Sequence, residues 1–301
     1  MKAFRPWFLI WLGLVSGPAA HAAEIGIATL VEGAPLLLRG ATWYKLAPGV
    51  RLEDGDIIEA GERAQVQLEM PAGNIVNLVG AGSLYVAPAR AGAEAGPLML
   101  VLPRGWLKVA AKAQELHVRT TTANIATADG ILVIRTLGPV LEFFVESGSA
   151  RLTEFLPNGI VAATRDVTRG EYWSKAADGP FAMLAHVPRK FVDAMPRHFV
   201  DPLPSLAGKL KTKPALVVDH DVTYTEAEPW LASRDRAVFE KRFASRLRDP
   251  AFRKAVEPNV ARYPMWDRRL HPEKYRPKPV SPPPAAQSGV VVPSRDKKET
   301  P

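Results

Sequence analysis

The chain has 301 residues, no cysteine and a formal net charge of +8, from 39 Lys and Arg against 31 Asp and Glu. The missing cysteine excludes a disulfide framework, a cysteine-linked lipid anchor, thiol chemistry and zinc–thiolate sites. The length allows one large or two ordinary domains with a true core.

Residues 1–22 read as a secretory signal peptide. Lys2 and Arg5 precede an apolar run from Trp7 to Val15, Gly17-Pro18 interrupts it, and Ala20-His21-Ala22 supplies the small-residue pattern for cleavage between Ala22 and Ala23. The run is too short to cross a bilayer, which takes about 20 residues. Export to the periplasm is therefore expected, away from ATP and chromosomal nucleic acid. No later stretch reaches about 18 continuous apolar residues, so no integral membrane segment is expected after cleavage.

Residues 23–175 read as an all-β domain. Alternating or β-branched runs recur at residues 25–31, 35–39, 64–69, 75–78, 83–86, 99–102, 106–109, 115–119, 131–135, 141–145, 150–155 and 160–164. Glycines separate them, among them Gly33, Gly55, Gly73, Gly80, Gly105, Gly130, Gly148 and Gly159, as expected of tight turns that need positive φ. Asn158-Gly159 is the sharpest hairpin signal. No strand is followed by an amphipathic helix, which argues against a parallel α/β sheet.

Residues 176–213 form a Pro-rich connector, expected to pack on the β-domain with one short helix near residues 190–195. Residues 214–276 change period. Phe239, Phe243 and Leu247 recur every fourth residue after Ser233, a candidate N-cap. Asp249-Pro250 opens another helix, with Asp as cap and Pro at the first helical position, and Pro258 and Pro264 are expected to end it. Trp266 and Leu270 suit a last amphipathic turn. Residues 277–301 are rich in Pro, Ser, Lys and Glu and are expected to be disordered.

Charge is divided unevenly. Residues 23–188 carry 14 Lys and Arg against 17 Asp and Glu, a net of −3, whereas residues 189–301 carry 23 against 14, a net of +9. The cationic part therefore calls for an anionic partner.

The β-domain resembles the FecR-like domain family over roughly residues 25–155. The resemblance rests on Val31-Glu32-Gly33, Leu52-Glu53-Asp54-Gly55-Asp56, Ala64–Glu69 leading to Gly73-Asn74, Leu102-Pro103-Arg104-Gly105 before Leu107-Lys108-Val109, Thr120-Thr121 leading to Ile125 and Gly130, and Val145-Glu146-Ser147-Gly148. It departs from the family pattern at Gly130-Ile131, without the following Thr, and at Ala72-Gly73, without the preceding Asp. The resemblance implies a mainly β fold of twisted antiparallel, partly β-helix-like stacked sheets outside the cytoplasm. In the signalling members such a domain responds to an outer-membrane receptor and regulates a sigma factor across the inner membrane. Those members have an N-terminal cytoplasmic part and a membrane helix, where this chain has a cleavable signal. The implied role is thus an exported, non-catalytic recognition or scaffold module.

Few residues suggest chemistry. His220 between Asp219 and Asp221 could serve a metal or a relay, but the plainer reading is a polar turn after the apolar residues 216–218. No H-E-x-x-H, G-x-S-x-G, S-x-x-K or phosphate-loop pattern occurs. Gly80-Ala81-Gly82-Ser83 reads as a glycine turn into a strand. Asp54 and Asp56 lie on a turn, where Asp56 is expected to bond the amides that follow it. No cofactor, no metal site and no enzymatic activity are expected.

The stronger candidate is the basic set Arg234, Arg236, Lys241, Arg242, Arg246, Arg248, Arg253, Lys254, Arg268 and Arg269. It interleaves with Trp230, Phe239, Phe243, Phe252, Tyr263, Trp266 and Tyr275. Such sets bind nucleic acid strands, anionic glycans or headgroups. The plainer alternative is a small helical core of Phe239, Phe243, Leu247 and Phe252 with the arginines as its solvated face. With export, nucleic acid drops out, and the expected partner is an envelope protein or anionic glycan. Two further readings are a transmembrane signalling relay through a separate membrane partner and a polysaccharide-acting envelope enzyme built on Asp54, Asp56 or His220.

Overall fold

The computed structural model describes residues 24–87, 97–211 and 213–276. The expected signal peptide with its Ala22–Ala23 cleavage point, and the expected tail from residue 277, lie outside the described residues. The chain divides into two compact units, one running to Pro229 and one starting at Trp230.

The first unit is mainly β. Its strands are β1 (Glu24–Glu32), β2 (Leu36–Arg39), β3 (Thr42–Lys45), β4 (Arg51–Glu53), β5 (Ile57–Ala60), β6 (Gln65–Glu69), β7 (Ile75–Ala87) and β8 (Leu98–Ala111). They continue as β9 (Leu116–Arg119), β10 (Ala123–Thr127), β11 (Gly130–Leu137), β12 (Val140–Phe155), β13 (Val161–Thr168), β14 (Tyr172–Lys175), β15 (Phe181–Leu184) and β16 (Val217–Asp221). Hydrogen bonds join them in the order β15-β14-β12-β10-β9-β8-β7-β5-β2-β3-β16, with the remaining strands branching off. The β8–β9 ladder is parallel, and the long ladders β7–β8, β8–β11, β11–β12 and β12–β13 are antiparallel.

Three pairs of expected short strands are single long ones. β7, β8 and β12 run straight through Gly80, Gly105 and Gly148, so the glycines expected to turn the chain, including the run Gly80-Ala81-Gly82-Ser83, lie inside strands. Gly148 marks where β12 changes partner: Gly130 pairs with it at the end of the β11 ladder, and Ser149 opens the β13 ladder. Its φ is +70°, and a Cβ there would stand 2.1 Å from the Asp129 carbonyl oxygen. At Gly105 (φ +119°) a Cβ would meet the Gly82 Cα at 2.8 Å, because the β7 and β8 backbones close on each other there. In both places glycine permits a bulge and a close approach, not a reversal. Asn158-Gly159 does turn the chain between β12 and β13, and the Ile160 amide donates to the Asn158 Oδ1 at 3.1 Å.

Strands β3, β4, β5, β10, β14 and β15 had no expected counterpart. They are three to five residues long.

Leu37, Ile58, Val66, Leu68, Val76, Leu78, Leu107, Val109, Leu132, Phe143 and Leu152 belong to one large buried cluster. β6 and the first half of β7 are buried on both faces. The second face is covered by the connector, whose helix α1 (Arg189–Ala194) and the short turn Arg197–Phe199 bring Phe191 and Phe199 against Val79, Val133 and Tyr172. Helix α2 (Tyr224–Leu231) starts after Thr223, with Glu226 three residues on. The Glu226 Oε2 accepts the Thr223 amide at 2.8 Å, the reciprocal bond of a capping box.

The second unit is helical: α3 (Arg236–Phe243), a 3-10 segment Ala244–Arg248, α4 (Pro250–Val256), a second 3-10 segment Glu257–Arg262, α5 (Pro264–Leu270) and a last turn Pro272–Tyr275. Asp249 caps α4 as expected, accepting the Ala251 and Phe252 amides at 2.8 and 3.1 Å. Ser233 does not cap α3. That helix starts after Asp235, and the Ser233 hydroxyl donates back to the Trp230 carbonyl. Pro264, expected as a stop, is the first residue of α5, where its fixed φ and missing N–H cost nothing.

Candidate functional site

The helical unit is built around rings. Trp230 and Phe239 lie 5.2 Å apart, Phe239 and Phe243 stack at 5.9 Å, and Trp266 meets Tyr263 at 5.2 Å and Phe252 at 5.9 Å. Six of the seven aromatics that interleave with the basic residues are buried, and Tyr275 is the exposed one. The core is locked by two acidic residues. Glu240 accepts the Met265 amide, takes the Trp266 indole N–H on its own carbonyl at 2.8 Å, and pairs with Arg236 at 3.3 Å. Asp267 accepts the Tyr275 hydroxyl at 2.6 Å and the Lys274 ammonium at 3.0 Å, and these bonds hold its carboxyl below the usual range. The Phe252 and Ala251 amides do the same for Asp249.

The ten basic candidates fall into two kinds. Arg242 and Arg246 are half-buried and lie over the core: Arg242 covers Phe239 and Phe243, and Arg246 covers Phe252 while pairing with Asp249 at 2.9 Å. Their guanidinium planes occupy the ring faces that a stacked base or sugar would need. The other eight are exposed: Arg234, Arg236, Lys241, Arg248, Arg253, Lys254, Arg268 and Arg269. Arg253 reaches the Leu247 carbonyl at 3.1 Å, Arg269 the Ala244 carbonyl at 3.4 Å, and Arg268 covers Tyr275. Arg253 and Lys254 share α4, five and six residues after Arg248 at the end of the preceding 3-10 segment. Lys241, Arg248 and Lys254 have no carboxylate within 4 Å among the described residues. Residues 230–276 hold 13 Lys and Arg against six Asp and Glu, a net of +7. Buried Glu240 and Asp267 are committed to the core, so the exposed surface is more cationic than that sum.

The other candidates are structural in the contacts they make. Asp56 is not on an exposed turn: it is 1% exposed, and Arg39 grips it from two nitrogens at 3.0 and 2.6 Å. It also accepts the amide of Glu53, which precedes it, instead of the amides that follow. The same guanidinium bonds Glu53 and the Arg51 carbonyl, so it ties β2 to the β4–β5 corner. Burial opposes the Arg39 charge, but the hydrogen bond and charge of Asp56 outweigh it and raise its pKa.

His220 is not in a turn either. It sits in β16, opposite Trp43 of β3. Its ring nitrogens meet Asp219 at 2.7 Å and Glu226 at 2.8 Å, bonds that raise its pKa. Glu226 is the capping-box residue of α2. Burial pushes its pKa up, but the bonds from Thr223 and His220 prevail and lower it. Among the described residues no group of three or more His, Asp or Glu side chains is placed to hold a metal ion.

A second polar cluster escaped the sequence reading. Gln67, Asn77 and Lys108 stand in one cross-strand row over β6, β7 and β8. The Lys108 side chain is 1% exposed, and its ammonium reaches Glu146 at 3.0 Å and the Phe199 carbonyl at 2.5 Å. On the same strand face as Gln67, Glu69 accepts the Leu206 and Ala207 amides and the Ser205 hydroxyl. Gln65, Gln67 and Glu69 alternate with Val66 and Leu68, which in sequence imitates a solvated strand face. The one signal was Lys108 inside the apolar run from Leu107 to Ala111, where a charge needs a partner to be buried.

No family model matches the chain, and no curated protein matches it. Two crystal structures of a "putative anti-sigma factor" from Parabacteroides distasonis ATCC 8503, at 1.65 and 2.50 Å resolution, align with 45% of this chain at 12% and 13% identity. Their TM-scores are 0.38 and 0.37, and this chain spans 62% of their length.

Proposed function

We propose that the protein is a non-catalytic recognition module exported to the cell envelope, whose helical C-terminal unit docks on an anionic envelope component. The observation that carries the reading is the exposed set Lys241, Arg248 and Lys254, without a carboxylate partner among the described residues, in a stretch 230–276 with a net charge of +7. Such a surface has no use in holding its own fold, and it attracts anionic polymers or headgroups at about 1 kcal/mol per cation near the surface. The stacking of Arg242 and Arg246 on the core rings supports charge, not aromatic stacking, as the means of recognition. The non-catalytic reading is supported by the engagement of Asp56 with Arg39 and of His220 with Asp219 and Glu226.

The test is charge reversal in the full chain. Lys241→Glu, Arg248→Glu and Lys254→Glu together should release the protein from envelope fractions into the soluble fraction, and the wild type should be released by salt alone. Unchanged partitioning of the triple variant overturns the reading.

A further inference from the structure

The connector is held on the second face of the β-unit by its backbone. Lys108 Nζ donates to the carbonyls of Phe199 and Asp201 at 2.5 and 3.2 Å, and Gln67 Nε2 donates to the Pro204 carbonyl at 2.9 Å. Glu69 Oε1 accepts the amides of Leu206 and Ala207 at 2.5 and 2.9 Å, while its Oε2 accepts the Ser205 hydroxyl at 2.7 Å. Five of these six bonds go to main-chain atoms, which every amino acid offers. A row of side chains that reads backbone and ignores side-chain identity is the chemistry of an extended-peptide site.

The resident segment fills that site incompletely. Asn77 stands between Gln67 and Lys108 in the same row and is 1% exposed, yet among the described residues neither its Oδ1 nor its Nδ2 has a hydrogen-bond partner. Over this row the connector carries Pro202 and Pro204, which have no N–H to give. Of residues 188–207 only Phe191 and Phe199 are buried, and after Phe199 the apolar side chains Leu203, Leu206 and Ala207 are only half-buried beside the polar bonds.

We propose that this face of the β-unit binds an extended peptide segment of another protein, and that residues 199–207 are a resident stand-in which that segment displaces. The matching segment has an aromatic anchor in the place of Phe199. It carries ordinary, N–H-bearing residues in the places of Pro202 and Pro204, whose N–H groups donate to the Asn77 Oδ1 as the resident prolines cannot. This site is separate from the cationic surface, and the two stand or fall independently.

The test uses the full chain and two labelled synthetic peptides of residues 196–208, one with the native sequence and one carrying Pro202→Ala and Pro204→Ala. Fluorescence anisotropy should find the alanine peptide bound roughly tenfold more tightly, the worth of satisfying one buried polar group. Asn77→Leu should abolish that preference, and Lys108→Met should weaken both peptides. Because Lys108→Met removes a buried charge and its chain can fail to fold, hydrogen exchange on the unmodified chain gives an independent answer. Adding the alanine peptide should speed exchange at the Leu206 and Ala207 amides as they leave Glu69, with the β6 amides unchanged. No binding, a preference that survives Asn77→Leu, or unaltered exchange at Leu206 and Ala207 each overturns the proposal.

Discussion

Arg39 and Lys108 in the β-unit carry the same charge as Arg248 and Lys254 in the helical unit, but into different surroundings. In the β-unit these two cations fasten separate stretches of chain: Arg39 joins β2 to the β4–β5 corner, and Lys108 joins β8 to Glu146 and to the connector. Withdrawing such a charge from water costs several kcal/mol and is offset only when carboxylates and carbonyls surround it. In the helical unit the interior belongs to Phe239, Phe243, Phe252, Tyr263 and Trp266, and most of the cations point outward. Rings bury large areas, which serves a small core better than ion pairs do. The same residue type therefore fastens one unit and leaves the other a charged surface available for contact.

Substitutions at both ends of this contrast can break it. The largest effect is expected at Trp266, which is 1% exposed and bonds Glu240: Trp266→Ala should cost about 3–5 kcal/mol in urea unfolding followed by circular dichroism at the helix band. Arg39→Leu should cost about 3 kcal/mol, because it leaves the Asp56 carboxylate buried without its partner. Adding Asp56→Leu should recover most of that loss. A single variant as stable as the wild type would show that the pair fastens nothing.

Smaller effects sharpen the distinction within the helical unit. Arg242→Ala removes the cover from two rings and should cost about 1 kcal/mol of stability, with little change in binding to anionic vesicles. Arg248→Ala and Lys254→Ala should do the opposite. Each should leave stability within about 0.5 kcal/mol and weaken vesicle binding about fivefold, as measured by sedimentation at low salt. Equal behaviour of Arg242→Ala and Arg248→Ala would dissolve the division between the two kinds of arginine.

The smallest expected effect is a pH window at the join of β16 and α2. The His220 pKa is raised by its bonds to Asp219 and Glu226, so its contribution is present below the ordinary histidine range and is lost as pH rises through the raised value. The Glu226 pKa is lowered, so its contribution is present above the ordinary carboxylate range and is lost as pH falls through the lowered value. Urea midpoints should therefore be highest at mildly acidic pH, and His220→Gln should flatten the alkaline limb and shrink the acid limb, which the Thr223 bonds to Glu226 retain in part. His220 is partly exposed, and solvent and salt screen its bonds, which keeps the effect modest.

Much of this architecture was readable from local pattern. The mainly β character, the Asn158-Gly159 hairpin, the helix opened by Asp249-Pro250 and the short connector helix all rest on turn and cap chemistry, which acts over a few residues. The apolar spacing of Phe239, Phe243 and Leu247 likewise foretold a helical core with arginines around it. Strand boundaries were less legible, because a glycine that bends a strand and one that ends it look alike until the neighbouring backbone is known. Gly148 shows this: only the approach of Asp129 reveals that the chain continues. Asp56 misled for the same reason, since Arg39, which buries it, lies 17 residues away.

The residues of the chain alone determined its strand-rich character, the helix start at Asp249-Pro250, its aromatic spacing and the placement of its surplus positive charge near the C-terminus, all of which are local or additive properties. Only the tertiary structure decided which charges lie inside. Lys108, Glu69 and Asn77 are polar residues in strands, and nothing near them in sequence distinguishes a solvated face from one covered by residues 199–207. Burial is set by what packs against a strand, and here that cover arrives from about 90 to 140 positions downstream.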